Sequence, residues 1–358
     1  MFTRDREIVD AVVHPDHRGP SPEFSRALAA WPGIHYWNRE DGAGRLVLIR
    51  PLVHPQRERW WLHAALFLVT FATVAAGGAL LAGAGVMPSM PDLDFRWEVL
   101  THAVRTWISA LRPGVNFALA LMGILLAHEC GHYFLAKRYA INASPPYFLP
   151  APPQINFIGT FGAFIRLRSP IADRRQLMDV GAAGPWAGFI IAIVFLLVGL
   201  PLSQRAPDSS DHAFLIMVLN TPWRLGDSLI TVGLREWFFG GGGVILHPLA
   251  LAGWFGIFVT ALNLLPLGQL DGGHILYALI GRRQAIVGRL MWLALLPLGY
   301  WFFGWWIWAA LILILSRGRV VHPSVLDAYR RIPRSRQILG WATAALFVVT
   351  FTPVPLYI

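Results

Sequence analysis

Long runs of mostly apolar residues recur along the chain and constrain its fold more than any other feature. They lie at about 62–86, 115–136, 178–203, 247–267, 286–303, 301–315 and 338–356. Several reach the roughly 20 residues that a helix needs to cross the hydrocarbon of a bilayer. The runs predict an all-α polytopic membrane protein with about six to seven transmembrane helices. Residues 286–315 form either a tight hairpin or one long, broken segment.

The composition supports a membrane protein rather than a nucleic-acid-binding one. Of 358 residues, 55% are hydrophobic and 14% charged, and the mean hydropathy is +0.51. Such values are typical of chains that cross a bilayer. The net charge of +10 could indicate nucleic-acid binding. The arginines, however, lie in the links between apolar runs, as the basic residues that set membrane topology do. We therefore expect the lipid bilayer as a partner and no nucleic acid.

Basic residues cluster on one predicted side of the membrane. The link before the last apolar run holds six arginines: Arg317, Arg319, Arg330, Arg331, Arg334 and Arg336. The positive-inside rule makes this link cytoplasmic. Three basic pairs fall on the same side if each run crosses: Arg57 and Arg59, Lys137 and Arg138, and Arg282 and Arg283. No signal peptide precedes the first run, so we expect a multi-pass protein of the cell (inner) membrane with a cytoplasmic N-terminus.

The chain divides into a polar start and an apolar remainder. Residues 1–60 are predicted to be a cytoplasmic extension with short strands such as "GRLVLIR" at 44–50, and residues 61–358 the transmembrane domain. Within the latter, 144–170 cannot be a regular helix because prolines interrupt it. Its segment "GTFGAFIRLRS", 159–169, alternates as a strand or hairpin does. An ordinary cytoplasmic loop is the alternative.

Two histidines and a glutamate interrupt one of the apolar runs. His128, Glu129 and His132 fit the pattern H-E-x-x-H, in which residues four apart share a helix face, so both imidazoles can reach one metal. Glu129 can then contact a metal-bound water as a general base. Ionisable groups inside membrane segments are costly and by default mark function. The alternative is a helix end that reaches cytoplasmic water.

A third ligand is expected because catalytic zinc usually has three protein ligands. Asp271, in "NLLPLGQLDGGH", is the only acidic residue between Glu236 and Asp327. It is preferred over His274, three residues on, since a buried carboxylate has the stronger need for a cation. Asp271 could instead cap a helix. Asn263 could hydrogen-bond a substrate or a developing oxyanion, or join two helices.

Other conspicuous residues are interpreted as structural. Gly181, Gly184 and Gly188 lie near one face of a predicted span and favour close helix packing. Cys130 lies on a different helix face from His128 and is assigned to the core. The tryptophans of "YWFFGWWIW", 300–308, are typical of an interfacial belt.

Three motifs in this order resemble those of the site-2 protease family of intramembrane zinc metalloproteases. "AHECGHYFLAKRYAI" is similar to the zinc-binding helix of that family, "GAAGPWAGF" to its small-residue motif, and "NLLPLGQLDGGH" to its aspartate motif. The resemblance covers most of residues 60–280. The segment 204–246 is too short for the PDZ domain of one branch, and no nucleotide-binding tail follows the core.

The resemblance implies a three-helix metalloprotease core at about 114–280. It implies one Zn²⁺ per chain on His128, His132 and Asp271, with Glu129 as the base that activates water. A membrane-associated β-hairpin would hold the substrate as an added strand, which assigns substrate binding to Gly159, Thr160, Phe161 and Gly162 in addition to Asn263. The implied reaction is hydrolysis of a peptide bond in or near a transmembrane segment, as in regulated intramembrane proteolysis.

Two other functions are compatible with the same residues. A non-proteolytic scaffold of the same fold would have no need of a base such as Glu129. A metal-ion transporter would spread acidic and histidine residues over several spans, whereas here they gather on two. Transmembrane protein substrates are thus the expected partners, and the motifs imply no particular oligomeric state.

Overall fold

The amino-terminal part forms a small antiparallel sheet. The computed structural model describes residues 2–3, 6–13, 22–38, 45–51, 58–83, 105–106, 108–168, 171–206, 212–218, 221–268, 270–316, 325 and 332–357. Its first strands and helix are β1 (Phe2–Thr3), β2 (Arg6–Val12), α1 (Pro22–Ala29), β3 (Ile34–Asn38) and β4 (Arg45–Pro51). The strand order is β1-β2-β4-β3. The strand predicted at 44–50 is therefore confirmed as β4, where Leu46, Val47 and Ile49 are buried.

Most of the remaining chain is helical. The helices are α2 (Trp60–Leu81), α3 (Val115–Arg138), α4 (Arg174–Gly199), α5 (Leu229–Phe239), α6 (Pro248–Asn263), α7 (Asp271–Ile280), α8 (Gln284–Trp301), α9 (Gly304–Leu315) and α10 (Arg334–Thr350). α4 begins at a capped end, since the Asp173 side chain accepts a hydrogen bond from the Gln176 backbone N–H at 2.8 Å. Such a cap satisfies a donor that the first helical turn leaves free.

Three of the described helices are long and apolar enough to cross a membrane. They are Trp60–Leu81, Ile108–Arg138 and Arg174–Leu202, with mean hydropathies of 2.1, 1.6 and 2.3. Two shorter apolar helices, Pro248–Asn263 and Gly304–Ile314, fall below that length. The expected count of six to seven spans therefore stays a prediction.

The segment around 286–315 is a helical hairpin. α8 and α9 are separated at Phe302 and Phe303 and lie side by side, because the Trp292 indole N–H donates to the Ala309 carbonyl at 3.0 Å and that of Trp306 to the Leu296 carbonyl at 2.8 Å. This resolves the choice left open by the sequence in favour of the hairpin. The predicted cytoplasmic link before α10 is less informative, since Arg317, Arg319, Arg330 and Arg331 lie outside the described residues, as does Arg57.

The core is built around α4, which packs against α3, α6 and α7. Glycines permit the close approach: a Cβ at Gly131 of α3 would overlap the Ala183 carbonyl of α4, and one at Gly253 of α6 would lie 2.6 Å from the Leu196 nitrogen. Lipid tails are as apolar as leucine, so packing of this kind, rather than hydrophobic burial, holds membrane helices together. The close contact fixes α4 beside the helix that carries H-E-x-x-H.

The proline-rich segment after α3 is non-helical, as predicted. Its strands β5 (Tyr147–Pro150) and β6 (Thr160–Phe164) pair antiparallel. Tyr147 lies opposite Phe164, with a shift in register next to Pro150. The strand predicted within 159–169 is therefore β6. Its partner is β5, in the proline-rich stretch before it, so residues 159–169 do not form a hairpin by themselves.

Helices alone do not describe the fold, so the all-α prediction is incomplete. A second sheet has the order β11-β9-β8-β10-β7, and it is antiparallel apart from the parallel pair β8 and β10. Its strands are β7 (Gln204–Arg205), β8 (Phe214–Val218), β9 (Thr221–Leu225), β10 (Val244–Ile245) and β11 (Leu356–Tyr357). Four of the five strands lie in the segment 204–246, for which the sequence predicted no strand, because strands this short carry little periodicity.

Candidate metal centre

α3 places two imidazoles on one buried face. His128 and His132 are one helical turn apart, and their Nε2 atoms lie 3.1 Å from each other. Their side chains are buried, as is that of Glu129. The helix runs without a break from Val115 to Arg138, so the spacing of four residues has the geometry that the motif predicts.

α7 begins at Asp271 and brings its carboxylate to the two imidazoles. Asp271 Oδ2 lies 3.2 Å from Nε2 of His128 and 3.2 Å from Nε2 of His132. Glycine is needed in the first turn, because a Cβ at Gly272 would overlap the Leu264 carbonyl. The turn before α7 is held by the buried Gln284, whose side-chain amide donates to the Pro266 carbonyl at 3.1 Å.

α4 orients His132 through a backbone carbonyl. Nδ1 of His132 lies 2.7 Å from the Val180 oxygen, and since a carbonyl can only accept, Nδ1 carries the proton. In the neutral ring Nε2 then carries a lone pair and can only accept. It faces Asp271 Oδ2 at 3.2 Å, and two acceptors at that distance repel unless a metal ion or a second ring proton lies between them. A partner of this kind on the far ring nitrogen is typical of metal-binding histidines.

The three donor atoms fit a divalent metal in both chemistry and spacing. The donors of His128, His132 and Asp271 all lie within 4.8 Å of one another, with separations of 3.1, 3.2 and 3.2 Å. Ligand atoms at zinc bond lengths on a tetrahedron are roughly 3.3 Å apart. Two imidazoles with one carboxylate is a donor set of catalytic zinc sites, which leave a fourth position open.

Glycines on α4 provide the space that the imidazoles occupy. A Cβ at Gly184 would overlap the His132 ring, and one at Gly188 would come within 3.1 Å of the His128 Cβ. The sequence assigned Gly181, Gly184 and Gly188 to helix packing. Gly184 and Gly188 do more than that, since a larger residue would displace His132 at Gly184 and crowd His128 at Gly188.

Asn263 and His274 border the metal centre in different ways. The side-chain amide of Asn263, the last residue of α6, lies 3.3 Å from His128 Nε2. His274 lines the same cavity but is not part of the cluster of donor atoms found among the described residues. The structure thus brings Asp271 rather than His274 to the histidines, in agreement with the preference drawn from the sequence.

Glu129 faces the space beside the histidines. It lines two cavities of about 210 and 220 Å³, which also share His128, Ala163 and Asn263. The Ile165 backbone, just past β6, hydrogen-bonds the Glu129 carboxylate. Glu129 is thereby held at the point where the end of β6 meets the metal centre, and Cys130 is not part of the donor cluster.

Three of the four predicted hairpin residues border the second cavity. Thr160, Phe161 and Gly162 line it together with Glu129 and Asn263. Gly159 is absent from the lining: its carbonyl accepts a 2.7 Å hydrogen bond from Thr73 of α2, and a Cβ there would overlap the Thr73 carbonyl. Gly159 therefore attaches the hairpin to α2, which the sequence pattern does not reveal.

Trp308 is a residue of this cavity that the sequence analysis missed. It belongs to α9 and lines the second cavity, and its indole N–H is buried with no hydrogen-bond partner in the described structure. The sequence assigned 300–308 to an interfacial belt because aromatic residues are dense there. Only the fold of the α8–α9 hairpin distinguishes Trp308 from its neighbours.

The fold and the site together define a class: helical membrane proteins with a buried His-His-Asp metal centre and an adjacent glutamate, as in metallopeptidases. A family model described as peptidase family M50 matches residues 116–296, half of the chain. The chain belongs to peptidase family M50, the site-2 protease family. The match includes α3, α4, α6 and α7, which carry every residue of the metal centre.

The chain is also similar to curated plant proteins. It is 30% identical over 296 residues to the probable chloroplastic zinc metalloprotease EGY2 of Oryza sativa subsp. indica, covering 78% of this chain and 48% of that protein. It is 36% identical over 183 residues to the probable chloroplastic zinc metalloprotease EGY1 of Arabidopsis thaliana, covering 49% of this chain and 32% of that protein. The chain thus spans about half or less of these relatives. No solved structure matches.

Proposed function

We propose that this protein is a zinc metalloendopeptidase that hydrolyses a peptide bond in or near a transmembrane segment of a membrane protein. The observation that carries the proposal is the convergence of His128, His132 and Asp271 beside Glu129, on a helix apolar enough to span a bilayer. The names of the EGY relatives support the activity. We propose that this cleavage takes place as a step of regulated intramembrane proteolysis.

His128, His132 and Asp271 would hold one Zn²⁺ per chain. When bound, zinc supplies a Lewis acid that lowers the pKa of a water and polarises a carbonyl. The chain contributes the orientation: Val180 fixes the His132 ring, and the first turn of α7 fixes Asp271. Gly184 and Gly188 keep the position of each ring clear.

Glu129 is proposed as the general base. Its carboxylate would take a proton from the attacking water and pass it to the leaving amine, a transfer worth about 10²–10⁴ in rate. Burial beside the histidines keeps bulk water away from this step. The Asn263 amide is in place to donate to the oxyanion that forms at the carbonyl carbon, because it stands next to His128 at the cavity wall.

The β5–β6 hairpin is proposed to bind the substrate as an extended strand. Within the described residues β6 pairs on one side only, with β5, and it passes both cavities that Glu129 lines. An intact helix hides its carbonyls, so a transmembrane substrate must unwind before cleavage. Addition to the edge of β6 would replace the lost backbone hydrogen bonds, and the unpartnered Trp308 N–H would donate to one further carbonyl.

The proposed setting is a cell (inner) membrane crossed several times, with transmembrane proteins as substrates. Residues 61–358 would form the transmembrane domain, with the catalytic core at about 114–280. Residues 1–60, which include the four-stranded sheet, would lie in the cytoplasm. The scaffold alternative has no use for a base placed like Glu129, and the transporter alternative would spread acidic and histidine residues over several spans.

The test uses the full chain in liposomes with a tagged single-span protein as substrate. We expect cleavage that a zinc chelator abolishes and that added zinc, but not added magnesium, restores, because the donor set contains two imidazoles. Cleavage that survives complete removal of the metal would contradict the proposal. Absence of cleavage with a panel of such substrates, from a protein shown to contain zinc, would favour the scaffold alternative.

A further inference from the structure

A separate cavity of about 480 Å³ lies between α3, α4 and α10. It shares no lining residue with the two cavities at the metal centre. Its polar side carries Arg138, Arg175 and Arg336, and its apolar wall includes Leu135, Ala182 and Leu339. A pocket with a cationic end and an apolar end suits an amphiphilic ligand.

The arginines of this cavity outnumber its acids. Asp179 is the one carboxylate in the lining. It is already engaged, because Arg336 binds it through Nε at 3.1 Å and through a terminal nitrogen at 3.1 Å, and the Tyr139 hydroxyl also donates to it. No ion pair of Arg138 or Arg175 is found in the described part of the chain. Two positive charges are therefore uncompensated.

Arg175 has a hydrogen-bonding group without a partner. Its Nε is buried and makes no hydrogen bond to any described residue. Leaving a buried charged donor unpaired is costly, and such groups are rare in folded proteins. The combination of an unpaired donor, excess positive charge and an adjoining cavity indicates that the missing partner is an anionic ligand.

The arginine end of the cavity coincides with the ends of two predicted spans. One span ends at Arg138 and the next begins at Arg174, and consecutive spans of opposite direction meet the same membrane surface at those ends. Arg336 lies in the first turn of α10. Trp186 is in the lining, and its indole N–H donates to Thr343 of α10 at 2.9 Å. Tryptophan and arginine together are typical of the headgroup region.

We propose that this cavity binds the phosphate group of an anionic membrane lipid. Guanidinium groups form paired hydrogen bonds with phosphate oxygens, and basic pockets between transmembrane helices are known to hold lipid headgroups. Free phosphate has the same charged group, but it would leave the wall of Leu135, Ala182 and Leu339 without a contact. A bound lipid would join α3, α4 and α10 at one point.

The test measures lipid retention by the purified full chain in detergent, using native mass spectrometry. Phosphatidylglycerol is the anionic probe and phosphatidylcholine the neutral one. We expect one phosphatidylglycerol to bind roughly tenfold or more tightly than phosphatidylcholine. The double variant Arg138→Gln, Arg175→Gln should bind the two lipids equally. Arg283→Gln is the matched control, since Arg283 is an exposed arginine at the end of α7 outside the cavity, and its preference should match the wild type.

Each other outcome overturns the proposal. Equal retention of both lipids by the wild type would mean that the cavity does not select an anionic headgroup. An equal loss of preference in Arg283→Gln would mean that only diffuse surface charge is involved. Displacement of phosphatidylglycerol by millimolar inorganic phosphate would identify free phosphate as the ligand. If the double variant does not fold, Arg138→Gln alone decides, because Arg138 is exposed at a helix end: an unchanged preference there contradicts the proposal.

Discussion

Nε2 of His132 and Oδ2 of Asp271 lie 3.2 Å apart, although 139 residues separate them in the chain. In a neutral ring whose Nδ1 donates to Val180, neither atom has a proton to share. A positive charge between them, a metal ion or a second ring proton, satisfies both atoms, and α7 packs against α4, the helix that holds the His132 ring. The metal centre is in this sense built into the packing of the core helices.

Removing the carboxylate should remove the metal. Asp271→Ala deletes one of three donors, and we expect zinc in the purified protein to fall from about one per chain to well below one-tenth, because two imidazoles alone bind zinc weakly. Metal analysis by mass spectrometry measures this. His274→Ala is the control, since His274 lines the cavity without joining the donor cluster, and it should keep its zinc. The reverse pattern would make His274 the ligand.

A single methyl group at Gly184 should disable the metal centre. The added Cβ overlaps the His132 ring, so Gly184→Ala should lose both zinc and cleavage while its helix content, followed by circular dichroism, is unchanged. Gly123→Ala is a matched change on α3, where the new Cβ meets only Phe195 at 3.9 Å. It should retain zinc and activity. Full activity in Gly184→Ala would show that the ring is free to move.

Alanine substitution at the two glycines with positive φ in the β5–β6 hairpin should lower the stability of the protein by different amounts. Gly159 has φ of +87° and Gly162 has φ of +99°, so alanine strains either by roughly 1–2 kcal/mol. Only Gly159→Ala also meets the Thr73 backbone, whereas a Cβ at Gly162 meets nothing within 4 Å. The midpoint of thermal unfolding should fall further for Gly159→Ala. Equal midpoints would mean that the hairpin is not anchored on α2.

The Trp308 N–H should matter for substrate binding and not for the metal. Trp308→Phe keeps an aromatic side chain, although a smaller one, and removes the unpartnered donor. We expect kcat/KM to fall about three- to tenfold, the value of one hydrogen bond, with zinc unchanged. Trp301→Phe, at an exposed tryptophan of the same hairpin, should have no effect. If kcat/KM is the same for Trp308→Phe and Trp301→Phe, Trp308 does not contact the substrate and its role is structural.

The sequence predicted the components of the site better than their surroundings. H-E-x-x-H defines its own geometry because a helix of fixed pitch sets the spacing, and Asp271 was identified because a buried acid without a cation is costly. The Val180 carbonyl, the space at Gly184 and the attachment of Gly159 to α2 depend on how helices pack. No local pattern encodes those contacts.

The fold was predicted unevenly for a similar reason. Apolar runs located the three long helices, since length and hydropathy suffice for that. The sheet formed by β7 to β11 joins residues near 204 to residues near 357. Its strands of two to five residues are too short for a period-2 pattern, and their pairing depends on α10 bringing the end of the chain back to α5.

The most direct test of the account compares the wild type with Glu129→Gln, measuring zinc content and cleavage of the tagged single-span substrate on the same preparations. Glutamine keeps the size of the side chain but cannot accept the proton. We expect the variant to contain as much zinc as the wild type and to cut at least about a hundredfold more slowly. A zinc-loaded Glu129→Gln protein that cuts at the wild-type rate would contradict the assignment of this centre as a peptidase active site.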